Sequence, residues 1–150
     1  MKLKLTLIAA ALALGFNGVA LAQSQKQDRK VHNADEDRIE SEYKAAKEKC
    51  DAMSGNQKDV CQAEAKAKEK VAKAENDAKN SKDPARGQAR VERVRADAMY
   101  DVAKQKCQEH KGNEKDVCMK NAKVERDRAR ATSAKHERSA GTGSSRPEKR

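Results

Sequence analysis

The stretch KCDAMSGNQKDVC, residues 49–61, returns as KCQEHKGNEKDVC at residues 106–118. An offset of 57 residues aligns 43–61 with 100–118 and leaves eleven identities in nineteen positions. The shared text is Y-x-x-A-K-x-K-C, four variable residues, then G-N-x-K-D-V-C. The chain is therefore an internal duplication, and one reading of the repeat serves both halves.

Apolar spacing makes each repeat helical. Ile39, Tyr43, Ala46, Cys50 and Met53 recur at steps of three and four, as do Ala96, Tyr100, Ala103, Cys107 and His110. That is one stripe along a helix. Val60, Ala63, Ala67, Val71, Ala74 and Ala78 trace a second, weaker stripe; its copy around Val117, Val124 and Ala131 is weaker still. Between the stripes stand Gly55-Asn56 and Gly112-Asn113. Glycine suits the left-handed residue that ends a helix, and asparagine suits the cap that opens the next. The motif reads as helix, abrupt turn, helix.

Each cysteine lies five residues from its Gly-Asn turn, so in an antiparallel hairpin the two stand opposite, about 7–8 Å from the turn. A disulfide needs Cα atoms about 4.4–6.8 Å apart, which alanine-lined helices allow. Four cysteines permit three intramolecular pairings. The spacing favours the local one, Cys50–Cys61 and Cys107–Cys118, over cross-hairpin or intermolecular bonds. Cys107, His110 and Cys118 resemble three zinc ligands. Met53 replaces the histidine in the first copy and no fourth ligand is evident, so no metal is expected.

Composition explains why such clasps matter. All six leucines and the single phenylalanine lie before residue 23. Residues 23–150 keep only Ile39 and eight valines as larger aliphatics, beside twenty alanines. A large globular core is excluded, and helix-forming Ala, Lys, Glu and Gln point to slim all-α structure.

The N-terminus reads as a secretory leader. Lys2 and Lys4 precede an apolar run over 5–21, and Ala20-Leu21-Ala22 offers small residues before a cleavage point ahead of Gln23. Asn17 interrupts the run, which disfavours a retained anchor. No cysteine follows Ala22, so lipid attachment there is not expected. Export to an oxidising compartment would make disulfide chemistry available.

The expected organisation is a leader at 1–22, a flexible segment at 23–33 and hairpin repeat one at 34–80. A linker and helix start follow at 81–88, then hairpin repeat two at 89–138 and a disordered basic tail at 139–150. Asn33 with Glu36 resembles a capping box for the first helix. Asp83-Pro84 is a cap and first-turn pair for the third. The hairpins form either a loose four-helix arrangement or an elongated rod; sparse apolar content favours the splayed rod.

Removing Lys2 and Lys4 lowers the net charge from +10 to +8, all of it carried by residues 81–150. This asymmetry suggests contact with a polyanion, through Lys123, Arg126, Arg130, Lys135 and Arg138, although solvated helix charge is the simpler reading. No nucleophile elbow, phosphate loop or zinc-protease pattern is present, so no enzyme and no cofactor are expected. His32, His110 and His136 read as solvent-exposed and without partners. Tyr43 and Tyr100 fill equivalent stripe positions and read as packing residues. With few other aromatics to stack bases, nucleic acid is a poor partner.

The leader together with AKEKCDAMSGNQKDVCQAEAKAKEKVAKAE resembles a group of small exported, Lys/Ala-rich bacterial proteins, labelled cell envelope biogenesis or TolA-like. The likeness spans roughly residues 39–131, and its specific part is the doubled C-x10-C with G-N-x-K-D-V-C. It implies a periplasmic, envelope-associated helical protein and assigns no catalytic residue. The expected role is a non-enzymatic structural or interaction module bound to an unknown envelope component. The alternatives are a binder of anionic lipid or glycan, or a thiol- or metal-linked stress protein.

Overall fold

The computed structural model describes residues 19–142, with side chains described over 31–139. The expected leader, apart from its last four residues, and the tail beyond 142 lie outside the described residues. Four α-helices account for the architecture: α1 (Val19–Asp51), α2 (Gly55–Lys79), α3 (Pro84–Lys106) and α4 (Gly112–Thr142). A 3-10 turn, Cys107–Glu109, closes the end of α3. No strand occurs among the described residues.

Both clasps form as the spacing predicts. Cys50–Cys61 and Cys107–Cys118 are disulfides with Cα separations of 5.5 and 5.6 Å. The chain turns at once beyond each first cysteine, where the Met53 N–H donates to the Cys50 carbonyl (3.0 Å) and the His110 N–H to that of Cys107 (3.3 Å). Gly55 and Gly112 then take φ of +57° and +52°, the left-handed region that only glycine enters cheaply. Asn56 is not the cap that the sequence suggested. The hydrogen-bonded helix already starts at Gly55, after an extended Ser54. Asn56 thus falls within the first turn, and its buried Nδ2 has no hydrogen-bond partner among the described residues.

The helices lie in a row in chain order, each packing on its neighbours, so α2 and α3 are interior and α1 and α4 form the edges. The hairpins therefore do not splay. The α2–α3 seam between them is the most extensive interface among the described helices. A buried glycine permits it: a Cβ on Gly87 would stand 3.1 Å from the Ser81 Cβ and 3.3 Å from the Ala78 Cα and Cβ. The Val60–Ala78 stripe of α2 thus lies along α3, leaving the adjacent Cys61 and Ala65 flank for α1. Ion pairs fix the register of the seam: Glu64–Lys106 at 2.9 Å, Lys70–Asp101 at 2.8 Å, Glu75–Arg95 at 2.6 Å and Asp77–Arg90 at 3.3 Å.

The core is as thin as the composition demands. Ile39 and Val91 are the only bulky aliphatics buried among the described residues, beside Cys50, Cys107 and five alanines. Two polar groups substitute for apolar mass on α2. Buried Asn76 donates from Nδ2 to the His32 carbonyl of α1 at 3.2 Å. Glu69, only 7% exposed, is held by Lys66 at 2.8 Å and Lys73 at 2.7 Å. Burial opposes its ionisation, but the hydrogen bonds from both lysines prevail and hold its carboxyl below the usual glutamate range.

Three boundaries differ from the sequence reading. Helix α1 passes through 23–33 and through the apparent capping box, because no glycine or proline interrupts its helix-forming residues. Helix α3 tightens into a 3-10 turn at Cys107, before His110, where its apolar stripe was to end. Helix α4 continues past Arg138 to Thr142. The start of α3 is as expected: Pro84 opens it, and Asp83 accepts from the Arg86 N–H at 3.0 Å.

Candidate interaction surface

The tyrosines occupy the slot that the repeat assigns them, half-buried along the inner stripe of each hairpin. Each carries a cation over its ring. Lys66 lies 4.9 Å from the Tyr43 centroid, and Arg126 lies 4.4 Å from that of Tyr100, with Lys104 at 5.5 Å. Arg126 replaces Glu69 at the equivalent position, so one slot is solved with opposite charges. Such pairs contribute about 0.5–1 kcal/mol at exposed sites.

This packing divides the five basic residues singled out in the sequence. Arg126 is committed to Tyr100 and to Asp127 at 2.7 Å. Its hydrogen bond to Asp127 holds the guanidinium above the usual arginine range, so it stays cationic. Arg130 reaches across to Asp97 of α3 at 3.7 Å. Lys123, Lys135 and Arg138 are exposed on α4. The structure thus gathers no single patch from the five.

A different set lies on the outer edge of α4. Val117, Lys120, Val124, Arg128, Ala131 and Lys135 follow helical spacing opposite the side that packs on α3, and all are exposed. Val117 and Val124 are 46% and 54% exposed. Lys120 and Arg128 escaped the sequence reading, although the offset of 57 places them at the slots of Ala63 and Val71. The outer edge of α1 is a different kind of surface. Ala34, Asp37, Ser41, Lys44, Ala45 and Glu48 are exposed there, small or acidic apart from Lys44.

The histidines are not free of partners. His110 faces Glu114 at 3.8 Å, and both cysteines of the apparent zinc triad are bonded to each other. His136 lies 3.4 Å from Glu92. His32 sits between Glu36, at 3.8 Å from Nδ1, and Asp77, at 3.6 Å from Nε2. These three groups are a nitrogen and oxygen donor set able to hold a metal ion. The Arg90 guanidinium, 3.3 Å from the other Asp77 oxygen, competes with a cation there. The His32/Glu36 spacing is visible in the sequence, whereas Asp77 joins only through the α1–α2 register.

No helix among the described residues is long and apolar enough to cross a membrane. The two disulfides suit an oxidising compartment. Comparison with protein-family models, curated proteins and solved structures found no match to the chain.

Proposed function

We propose that this protein is a non-enzymatic structural or interaction module of the bacterial cell envelope, working in the periplasm. The observation that carries the reading is the pair of clasped hairpins built on almost no apolar core. A fold that depends on disulfides belongs outside a reducing cytosol, and the leader-like residues 1–22 supply a route. A row of helices with two exposed edges offers long surfaces instead of an enclosed cleft, which suits binding to another macromolecule.

A test is fractionation of cells producing the tagged protein, with thiol alkylation before and after reduction, and crosslinking in intact cells with mass spectrometry. The reading expects all four cysteines blocked, recovery with the periplasmic fraction and crosslinks to envelope components. A cytosolic protein with free thiols would overturn it.

A second reading, binding to anionic lipid or glycan, draws on Lys120, Lys123 and Lys135, which have no ion-pair partner among the described residues. It expects retention on anionic vesicles at low ionic strength that is lost as salt rises.

A further inference from the structure

The seam between the two hairpins has a consequence at the edges of the row. Helix α2 covers its Val60–Ala78 stripe with α3. The 57-residue offset carries that stripe onto the outer edge of α4, where nothing among the described residues covers it. The same offset, applied backwards, carries the side of α3 that meets α2 onto the outer edge of α1. The chain therefore exposes, at opposite ends, the two halves of an interface that it already makes once internally. Repeat arrays end in modified terminal faces for this reason, since an unaltered end would keep adding units.

The alterations here are complementary at the centre of the stripe. On α4 the stripe becomes valine, alanine and three cations: Lys120, Arg128 and Lys135. On α1 it becomes small residues with Asp37, Glu48 and one cation, Lys44. The internal ion pairs set the register. The slots of Lys70 and Asp101, which pair at 2.8 Å, become Asp127 and Lys44, opposite charges again with the signs exchanged. The slots of the other three pairs become Asn121 and Lys49, Thr132 and Arg38, and Ala134 and Asn33, which set no opposite charges together. Lys120 falls level with Glu48. Val124 falls level with Ala45, at the slots that Ala67 and Val102 fill in the covered seam.

We infer that the outer edge of α4 is a docking surface for the outer edge of α1 of a second copy of this chain, continuing the row of helices head to tail. The contact is heterologous: each copy offers a basic edge on α4 and, on α1, an edge that carries Asp37 and Glu48 beside Lys44, so association proceeds beyond a dimer unless the row closes. The inference takes from the proposed function only that the protein is an interaction module, and it names the partner. Few apolar groups are buried, so the contact rests on charge and is salt-sensitive.

The test is sedimentation of the oxidised protein over a range of concentrations. Wild type is expected to rise above monomer mass at low salt and to return to monomer at about 1 M salt, where charges are screened beyond roughly 3 Å. K120E/R128E/K135E and D37K/E48K are each expected to weaken association at least about tenfold, because each then sets like charges together. Mixing the two variants restores it, because the acidic α4 of one meets the basic α1 of the other. All five positions are exposed, so helical content and melting temperature serve as fold controls. A wild type that stays monomeric at low salt, or variants that associate unchanged, overturns the inference. So does association lost in K120E/R128E/K135E but kept in D37K/E48K, which would mean a symmetric α4–α4 contact. Retention on phosphatidylglycerol vesicles that K120E/R128E/K135E loses, with self-association unaffected, would assign the basic edge to a lipid surface instead. Fractionation reads the proposed function separately: monomeric protein in the periplasm overturns only the docking, and self-associating protein in the cytosol overturns only the location.

Discussion

Opening the Cys50–Cys61 clasp should release α1 from the row. The disulfide closes a loop with a sequence separation of 11, and in the chain-entropy account such a loop contributes about 2.8 kcal/mol at 25 °C. A chain of this size loses roughly 10 °C of melting temperature for that change. The second clasp has the same separation, so the pair accounts for about 5–6 kcal/mol, comparable with the whole stability of a small domain. Two measurements separate the covalent effect from packing. Reduced wild type keeps every sulfur atom in place, whereas C50A/C61A also removes the side chain of Cys50, which is only 1% exposed. Thermal melts followed by helical circular dichroism should therefore fall by roughly 10 °C for the C50A/C61A variant, and by about twice that for reduced wild type, which loses both clasps. Hydrogen exchange should show α1 losing protection in C50A/C61A while α2 and α3 keep theirs, since α3 still covers α2. A shift below about 2 °C, or equal loss of protection across all four helices, would refute the claim that the clasp stands in for a core.

Gly87→Leu should lower stability by roughly 1–3 kcal/mol despite leucine's better helix propensity, because the added carbons meet Ala78 and Ser81; Gln88→Leu, at an exposed neighbour, serves as the control in the same melt. Gly55→Ala and Gly112→Ala should each cost roughly 1–2 kcal/mol, since both turns need positive φ while neither site lacks space; Gly55→Asn should cost less. Asn76→Ala should remove about 1 kcal/mol and speed amide exchange in the part of α1 around His32. Acid should weaken the fold in a definite direction. Glu69, Asp35, Glu40 and Asp51 are all held below their usual ranges: Glu69 against its burial by Lys66 and Lys73, Asp35 by hydrogen bonds from Arg38 and Lys79, Glu40 by Lys44, and Asp51 by Lys58. The unfolded chain then binds more protons than the folded one, so this stabilisation is complete above about pH 5 and is lost as pH falls through the folded values. Melting temperature should drop between neutral pH and pH of about 3, and Glu69→Gln should shallow that drop.

The features legible in the sequence were those written in spacing. Two cysteines equidistant from a Gly-Asn turn determine a hairpin and its clasp, and the structure closes both. Asp83-Pro84 marks a helix start through a cap whose chemistry is local. The packing of α2 on α3 was harder to see, because an alanine stripe looks much the same whichever helix covers it. Gly87 was the single clue, a glycine inside a helix that needs no special φ and is therefore there for close approach. The basic residues were misgrouped for a related reason. Counting charge along α4 joins Arg126 and Arg130, which turn toward α3, with Lys135, which turns away, whereas the repeat offset sorts them by face. Where α1 begins was misjudged because a capping-box pattern can lie inside a continuous helix when nothing stops the chain before it.

The clasps also limit how far the protein can be stretched. If tension pulled its two ends apart and every helix unravelled, the stretch between Cys50 and Cys61 would still measure 5.5 Å between Cα atoms, where a fully drawn-out segment of that separation would reach about 37 Å. Each hairpin tip thus withholds about 30 Å of reach that only a reductant returns. Under load the chain behaves as a tether with two fixed knots, and its greatest extension reports the redox state of its surroundings.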